Sequence, residues 1–144
     1  MSEQTNLARL LLDGFRWFDQ ALLAALGERL GLNLTSAQSL LFAGLPLDGA
    51  RQSDLARRLG VSRQAVNELV RRLEQQGLVE VVPDPDSGRS KLVCPTALGR
   101  DSIEVALETF GQLETRLRQR VGDEKVDQLQ GVLETDWGDP PLPA

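Results

Sequence analysis

The chain has 144 residues, one cysteine and no histidine, with 21 acidic against 16 basic side chains for a net charge of −5. That length fits one compact domain or one domain with helical extensions. The missing histidine excludes imidazole-bound zinc and any Ser-His or Cys-His nucleophile pair, and a lone cysteine closes no intramolecular disulfide.

No glycine-rich loop of the GxGxxG or Walker type is present to cradle a phosphate, so neither an enzyme activity, a cofactor nor a metal is expected. No apolar run approaches a membrane span. The opening "MSEQTNLARLLLDGF" lacks a basic start and a cleavage site, so the expected compartment is the cytoplasm.

Residues 7 to about 30 read as a helix. Leu7, Leu10, Leu11, Gly14, Phe18, Leu22 and Leu26 recur at steps of three and four. Leu12, Phe15, Trp17 and Leu23 add more apolar surface than one packing face needs. Gly31 and Asn33 mark the stop. Thr35 is a fitting N-cap for a second helix, "TSAQSLLFAGL", and "PLDGA" reads as a loop.

Ser53 is expected to cap a short helix to Leu59, with Gly60 in a left-handed turn. Ser62 is expected to cap a longer helix, 63–76, closed by Gly77. Then the period changes: "LVEVV" and "SKLVC" are short strand-like runs around the turn formers "PDPDSGR". Thr96 caps a long helix, 97 to about 121, whose apolar stripe is Ile103, Ala106, Phe110, Leu113, Leu117 and Val121. Asp123 is expected to cap a last helix carrying Val126, Leu129, Val132 and Leu133, and "GDPPLPA" is expected to be disordered.

Short helix, glycine turn, second helix and hairpin make a winged helix-turn-helix. Ala56 lets two helices cross closely, Gly60 supplies the turn, and Val66 fills the angle. Leu55, Leu59, Val61 and Leu69 are the rest of the expected small core. The charge is polarised around this unit. Six arginines fall between Arg51 and Arg72, in a chain otherwise rich in acid. One face is thus built to approach a polyanion.

With Ala65, Val66, Leu69, Val70 and Leu73 facing inward, Arg63, Asn67 and Arg71 form an outer row. Gln64 and Glu68 lie beside it. In a major groove, Arg63 offers a guanine two donors, and Asn67 or Gln64 can read adenine. Ser62 and the positive helix end would meet phosphate.

Arg58 and Arg72 follow Asp54 and Glu68 by four residues and are expected in surface pairs. Arg57, Arg63 and Arg71 have no acid four residues before them and are expected at DNA. Glu68 either accepts from a cytosine or only holds Arg72. Arg89 and Lys91 sit where a wing would reach the neighbouring minor groove. Asp84 and Asp86 are expected to bond turn amides or to brace Arg89. "DPDSG" lacks the third oxygen ligand and the closing glutamate of a calcium loop, so no metal is assigned there.

The chain resembles the MarR family of bacterial transcription regulators through "LTSAQSLLFAGL", "QSDLARRLGVSRQAVNELVRRLEQQGLV", "DPDSGRSKLV" and "TALGRD". The resemblance implies a homodimer joined through helices from both ends of each chain. It places Ser62, Arg63, Gln64, Asn67 and Arg71 on a recognition helix and Arg89 on the wing, each winged domain reading half of a palindrome. The excess apolar surface at both chain ends independently suggests a two-fold interface.

The implied fold is mainly α with a small β-hairpin (α+β). A winged helix-turn-helix, 34–96, lies between an N-terminal dimerisation helix, 1–33, and C-terminal dimerisation helices, 97–137, with a tail at 138–144. Many family members release DNA when a small aromatic or anionic effector binds. Phe15, Trp17, Phe18 and Phe42 could line such a pocket or be ordinary core and interface aromatics.

Cys94 lies outside the first helix, where peroxide-sensing relatives carry theirs, and reads as a buried, inert thiol. The functional expectation is a DNA-binding transcription regulator, a repressor in the first instance, with double-stranded DNA and a second copy as partners. The alternative is a winged-helix protein-interaction module that has lost DNA binding, favoured by the acidic net charge.

Overall fold

A computed structural model of the chain describes residues 5–144. The first four residues of the expected N-terminal dimerisation helix lie outside the described residues. Six helices and one hairpin follow in order: α1 (Leu7–Leu30), α2 (Ser36–Ala43), α3 (Gln52–Leu59), α4 (Arg63–Gln75), β1 (Val79–Asp84), β2 (Ser87–Pro95), α5 (Ala97–Val121) and α6 (Asp123–Glu134). The chain divides into two compact units, one ending at Thr109 and one beginning at Phe110.

The first unit starts from a capped helix. The Asn6 side chain accepts the Arg9 N–H, and Gly31 closes α1 at φ 66°. Only the second half of α1 is well buried, through Asp19, Leu22 and Leu26. Leu7, Leu10, Leu12, Phe15 and Trp17 stay exposed. Thr35 forms a reciprocal capping box with Gln38 at the start of α2. Ser36 in the first turn of α2 donates to the buried Asp19 carboxylate at 2.6 Å, tying α1 to α2.

Around the helix-turn-helix the core is Leu41, Leu55, Val66, Val70, Leu73, Leu78 and Val93, all but closed to solvent. Ala56 is buried at the α3–α4 crossing, and Gly60 takes the left-handed conformation that a tight turn demands. Val61 departs from expectation. At 42% exposure it belongs to the turn's surface and not to the core. Ser53 is also displaced from its expected role. The N-cap of α3 is Arg51, without a side-chain cap bond, and Ser53 lies inside the first turn.

The wing is antiparallel, with Val79 opposite Pro95 and Val81 opposite Val93. "PLDGA" is more than a loop: Ala50 bridges Val93 through two backbone bonds of 3.0 and 2.8 Å, adding a third rung. Gly49 makes this possible. Its φ is 92°, and a Cβ there would stand 2.5 Å from the Cys94 sulfur.

Thr96 caps α5 as expected, accepting the Gly99 N–H and donating to the Gly77 carbonyl. The buried side of α5 differs from the expected stripe. Gly99, Ser102, Val105 and Thr109 face inward, while Ile103, Ala106 and Phe110 are half-buried and Val121 is exposed. The hydroxyls on this side remain satisfied by bonding back to carbonyls four residues earlier.

In the second unit, Arg118 binds Glu114, Asp123 and Asp127, clamping the bend before α6. These partners push its guanidinium pKa above the usual range, Asp127 contributing most. Asp123 is therefore not the cap: Gly122 occupies that position at φ 98°. Val126 is buried, whereas Leu129, Val132, Leu133 and Trp137 are exposed. Residues 138–144 form neither helix nor strand and lie exposed.

Candidate nucleic-acid interface

Helix α4 is started by Ser62, whose hydroxyl accepts the Ala65 N–H at 3.1 Å. Burial of Val66, Val70 and Leu73 fixes its rotation. The helix period then turns Arg63, Gln64, Asn67 and Arg71 to solvent. Among the described residues, none of these four side chains has an intramolecular partner.

Their arginine neighbours are committed. Arg72 pairs with Glu68 at 3.1 Å, one of the two roles expected of Glu68. Arg57, expected at DNA, pairs with Asp54 three residues earlier while its side chain stays 78% exposed. Arg58, expected on Asp54, instead donates to the Gly44 carbonyl at 3.0 Å behind α2. Arg51 donates twice to Asp84, at 3.0 and 2.8 Å. Of the cluster between Arg51 and Arg72, Arg63 and Arg71 therefore retain their full donor capacity for a ligand.

The hairpin carries the second basic element. Its register slips between Pro83 and Asp84: Pro83 lies opposite Lys91, but Asp84 lies opposite Ser87. The intervening residues of β2 bulge outward, and Arg89 stands exposed on that bulge without an intramolecular partner among the described residues.

Asp84 is buried beneath the turn. One carboxylate oxygen accepts the Asp86 N–H at 2.9 Å, and the other accepts Arg51. Asp84 thus braces Arg51, not Arg89. The amide bond from Asp86 and then the Arg51 guanidinium hold its carboxyl below the usual carboxylate range. Through this carboxylate the wing is tied to the start of α3.

Lys91 is not at the wing tip. With Arg51, Gln52, Ser53 and Ser90 it lines a cleft of about 260 Å³ between the start of α3 and β2. Sequence reasoning missed this cleft because Arg51 and Lys91 are forty positions apart and no periodicity links them.

The aromatics expected near an effector do not all share a place. Trp17 and Phe18 meet edge to face with ring centroids 5.0 Å apart, and Phe15 and Trp17 are well exposed on α1. Phe42 is a core residue, packed where a Cβ on Gly99 would lie 3.2 Å from its ring. Cys94 is half-buried rather than buried. Burial first, then Glu80 and Asp48, push its thiol pKa up. Among the described residues no group of histidine, cysteine and acid side chains is placed to hold a metal, and no helix is long and apolar enough to cross a membrane.

Residues 32–90, the stretch that forms α2, the helix-turn-helix and most of the wing, match the MarR family model. The transcriptional activatory protein BadR of Rhodopseudomonas palustris is 48% identical over 86 residues, covering 60% of this chain. The chain spans about half the length of that relative, 48% of it. The reduced form of MarR from E. coli superposes with a TM-score of 0.71 at 26% identity, over 92% of this chain and 97% of that one. CouR from Rhodococcus jostii RHA1, solved with p-coumaroyl-CoA bound, gives 0.68 at 26% identity, over 93% of each chain. In its winged helix and in these comparisons the chain is similar to MarR-family transcriptional regulators, the family match falling on residues 32–90.

Proposed function

We propose that the chain binds duplex DNA sequence-specifically as a homodimer, α4 entering the major groove and the Arg89 bulge the adjacent minor groove. The observation that carries this reading is the uncommitted Arg63–Asn67–Arg71 row. It is exposed beside arginines that are each held by a partner in the protein. Guanidinium and amide groups offered this way match the base edges of guanine and adenine. A protein-binding face would not require them together with a wing arginine.

Homodimerisation is supported by the exposed apolar side chains at both chain ends, Leu7, Leu10, Leu12, Phe15 and Trp17 on α1 and Leu129, Val132 and Leu133 on α6. Surface of this kind is covered by a partner in a stable soluble protein. Two copies would present two recognition helices to a palindromic operator, one DNA turn apart. Such a role places the chain in the cytoplasm, with the chromosome.

Repression by promoter occlusion is the output we propose. Activation is the second reading, favoured by the name of the BadR relative. A small aromatic or anionic effector is proposed to lie against Phe15, Trp17 and Phe18. The acyl-CoA bound to CouR supports an effector of that chemistry.

Selection from a random duplex library, followed by light scattering of the complex, tests the whole reading. Enrichment of a palindrome bound by two chains is expected. Absence of any enriched sequence at low salt would leave the protein-interaction module as the better account. A reporter carrying the selected site then separates repression from activation.

A further inference from the structure

The cleft between the start of α3 and β2 has a lining that differs from the rest of the surface. Lys91 supplies a positive charge, Arg51 a guanidinium already paired with Asp84, Ser53 and Ser90 two hydroxyls, and Gln52 an amide; no carboxylate is among the lining residues. In a chain with a net charge of −5, such a lining is a local reversal of sign.

Arg51 is also pre-set. Asp84 fixes its Nε and one terminal nitrogen, which locks the guanidinium at the cleft while its side chain remains 46% exposed. The carboxylate that holds it also accepts the Asp86 N–H, which ties the Arg51 contact to the turn of the wing. Lys91 has no intramolecular partner among the described residues. Its place opposite Pro83 keeps it on the strand, short of the bulge that carries Arg89.

We propose that this cleft is a phosphate seat, and that its occupant is a backbone phosphodiester of the bound duplex. It rests on the DNA-binding reading above and refines it. Arg89 would enter the minor groove, whereas Lys91, Ser53, Ser90 and Arg51 would grip the strand between the two grooves that α4 and the wing occupy. A phosphodiester carries one negative charge and two free oxygens, which the Lys91 ammonium, the N–H donors that Arg51 does not give to Asp84, and the two hydroxyls can satisfy from opposite walls. Such a contact sets the register of the protein on the helix and carries no base preference.

The test compares the full chain with its Lys91→Ala and Ser53→Ala variants on a selected duplex and on an unrelated duplex, across a salt series. For Lys91→Ala the expected result is a several-fold loss of affinity on both duplexes. The slope of log affinity against log salt should fall by about one. Ser53→Ala should weaken binding on both duplexes with little change of slope. An unchanged slope in Lys91→Ala, while the full chain binds DNA, would overturn the proposal and leave the DNA reading intact.

Should the full chain bind no duplex, the DNA reading fails by itself. Inorganic phosphate is then titrated while the amide resonances of Gln52, Ser53, Ser90 and Lys91 are followed. Saturable shifts lost in Lys91→Ala would retain a phosphate seat, with free phosphate as its source. Their absence would end it.

Discussion

Gly99 lies in the first turn of α5, and a Cβ there would stand 2.2 Å from the Leu78 carbonyl oxygen. It would also lie 3.2 Å from carbons of Phe42 and Pro95. Helix propensity alone favours alanine over glycine by up to about 1 kcal/mol. The geometry predicts the opposite sign.

To reach ordinary contact the backbone must open by about 1 Å, and overpacking of that kind costs roughly 1–3 kcal/mol. The same carbonyl accepts the Thr96 N–H at 3.0 Å, so opening also weakens a bond worth about 1 kcal/mol net. Gly99→Ala is therefore expected to lose about 1–3 kcal/mol after the propensity gain, a fall in Tm on the order of 3–10 °C for a chain of this size. Thermal melts followed by circular dichroism at fixed protein concentration measure it. A Tm equal to or above that of the unmodified chain would refute the packing of α5 against the base of the hairpin.

Arg89→Ala should weaken binding to a selected duplex several-fold, and Asn67→Ala should chiefly relax base preference at one position per half-site. Parallel selections with both variants would show unchanged affinity and preference if these roles are misassigned. Asp84 has a depressed carboxyl pKa in the folded chain, so its stabilising bonds are complete above the ordinary aspartate range, near pH 4, and are lost as pH falls below it. The Tm difference between the unmodified chain and Asp84→Asn should accordingly be largest at neutral pH and shrink on acidification; a constant gap would contradict the assignment. The raised thiol pKa of Cys94 predicts slower alkylation by iodoacetamide at pH 8 than a free cysteine shows, and equal or faster reaction would remove its reading as an inert group.

Local chemistry written in short stretches was legible in the sequence. Thr35, Ser62 and Thr96 cap helices where they were expected to, because a cap needs only its own side chain and an amide three residues on. The left-handed Gly60 and the inward face of α4 likewise follow from spacing within one or two turns. Those elements sufficed for the winged helix-turn-helix and for the outward row of Arg63, Asn67 and Arg71.

Where two caps were possible, the sequence could not choose. Asp123 is bound by Arg118 in place of capping α6, and Ser53 lies two residues past the N-cap of α3. For α5 the apolar period pointed to Ile103 and Phe110, but Gly99, Ser102, Val105 and Thr109 line the buried side, and at Gly99 the close Leu78 carbonyl leaves no room for a side chain.

Charge partners were decided by the fold alone. Arg57 and Arg58 are adjacent in sequence, yet the turn of α3 gives Asp54 to one and sends the other to the Gly44 carbonyl. Asp84 and Arg51 are 33 residues apart and meet only because the hairpin folds back onto the start of α3. The sequence by itself determined which element carries the positive face. Tertiary structure decided which of its cations remain free, since an ion pair forms between groups that packing brings within about 4 Å, whatever their separation along the chain.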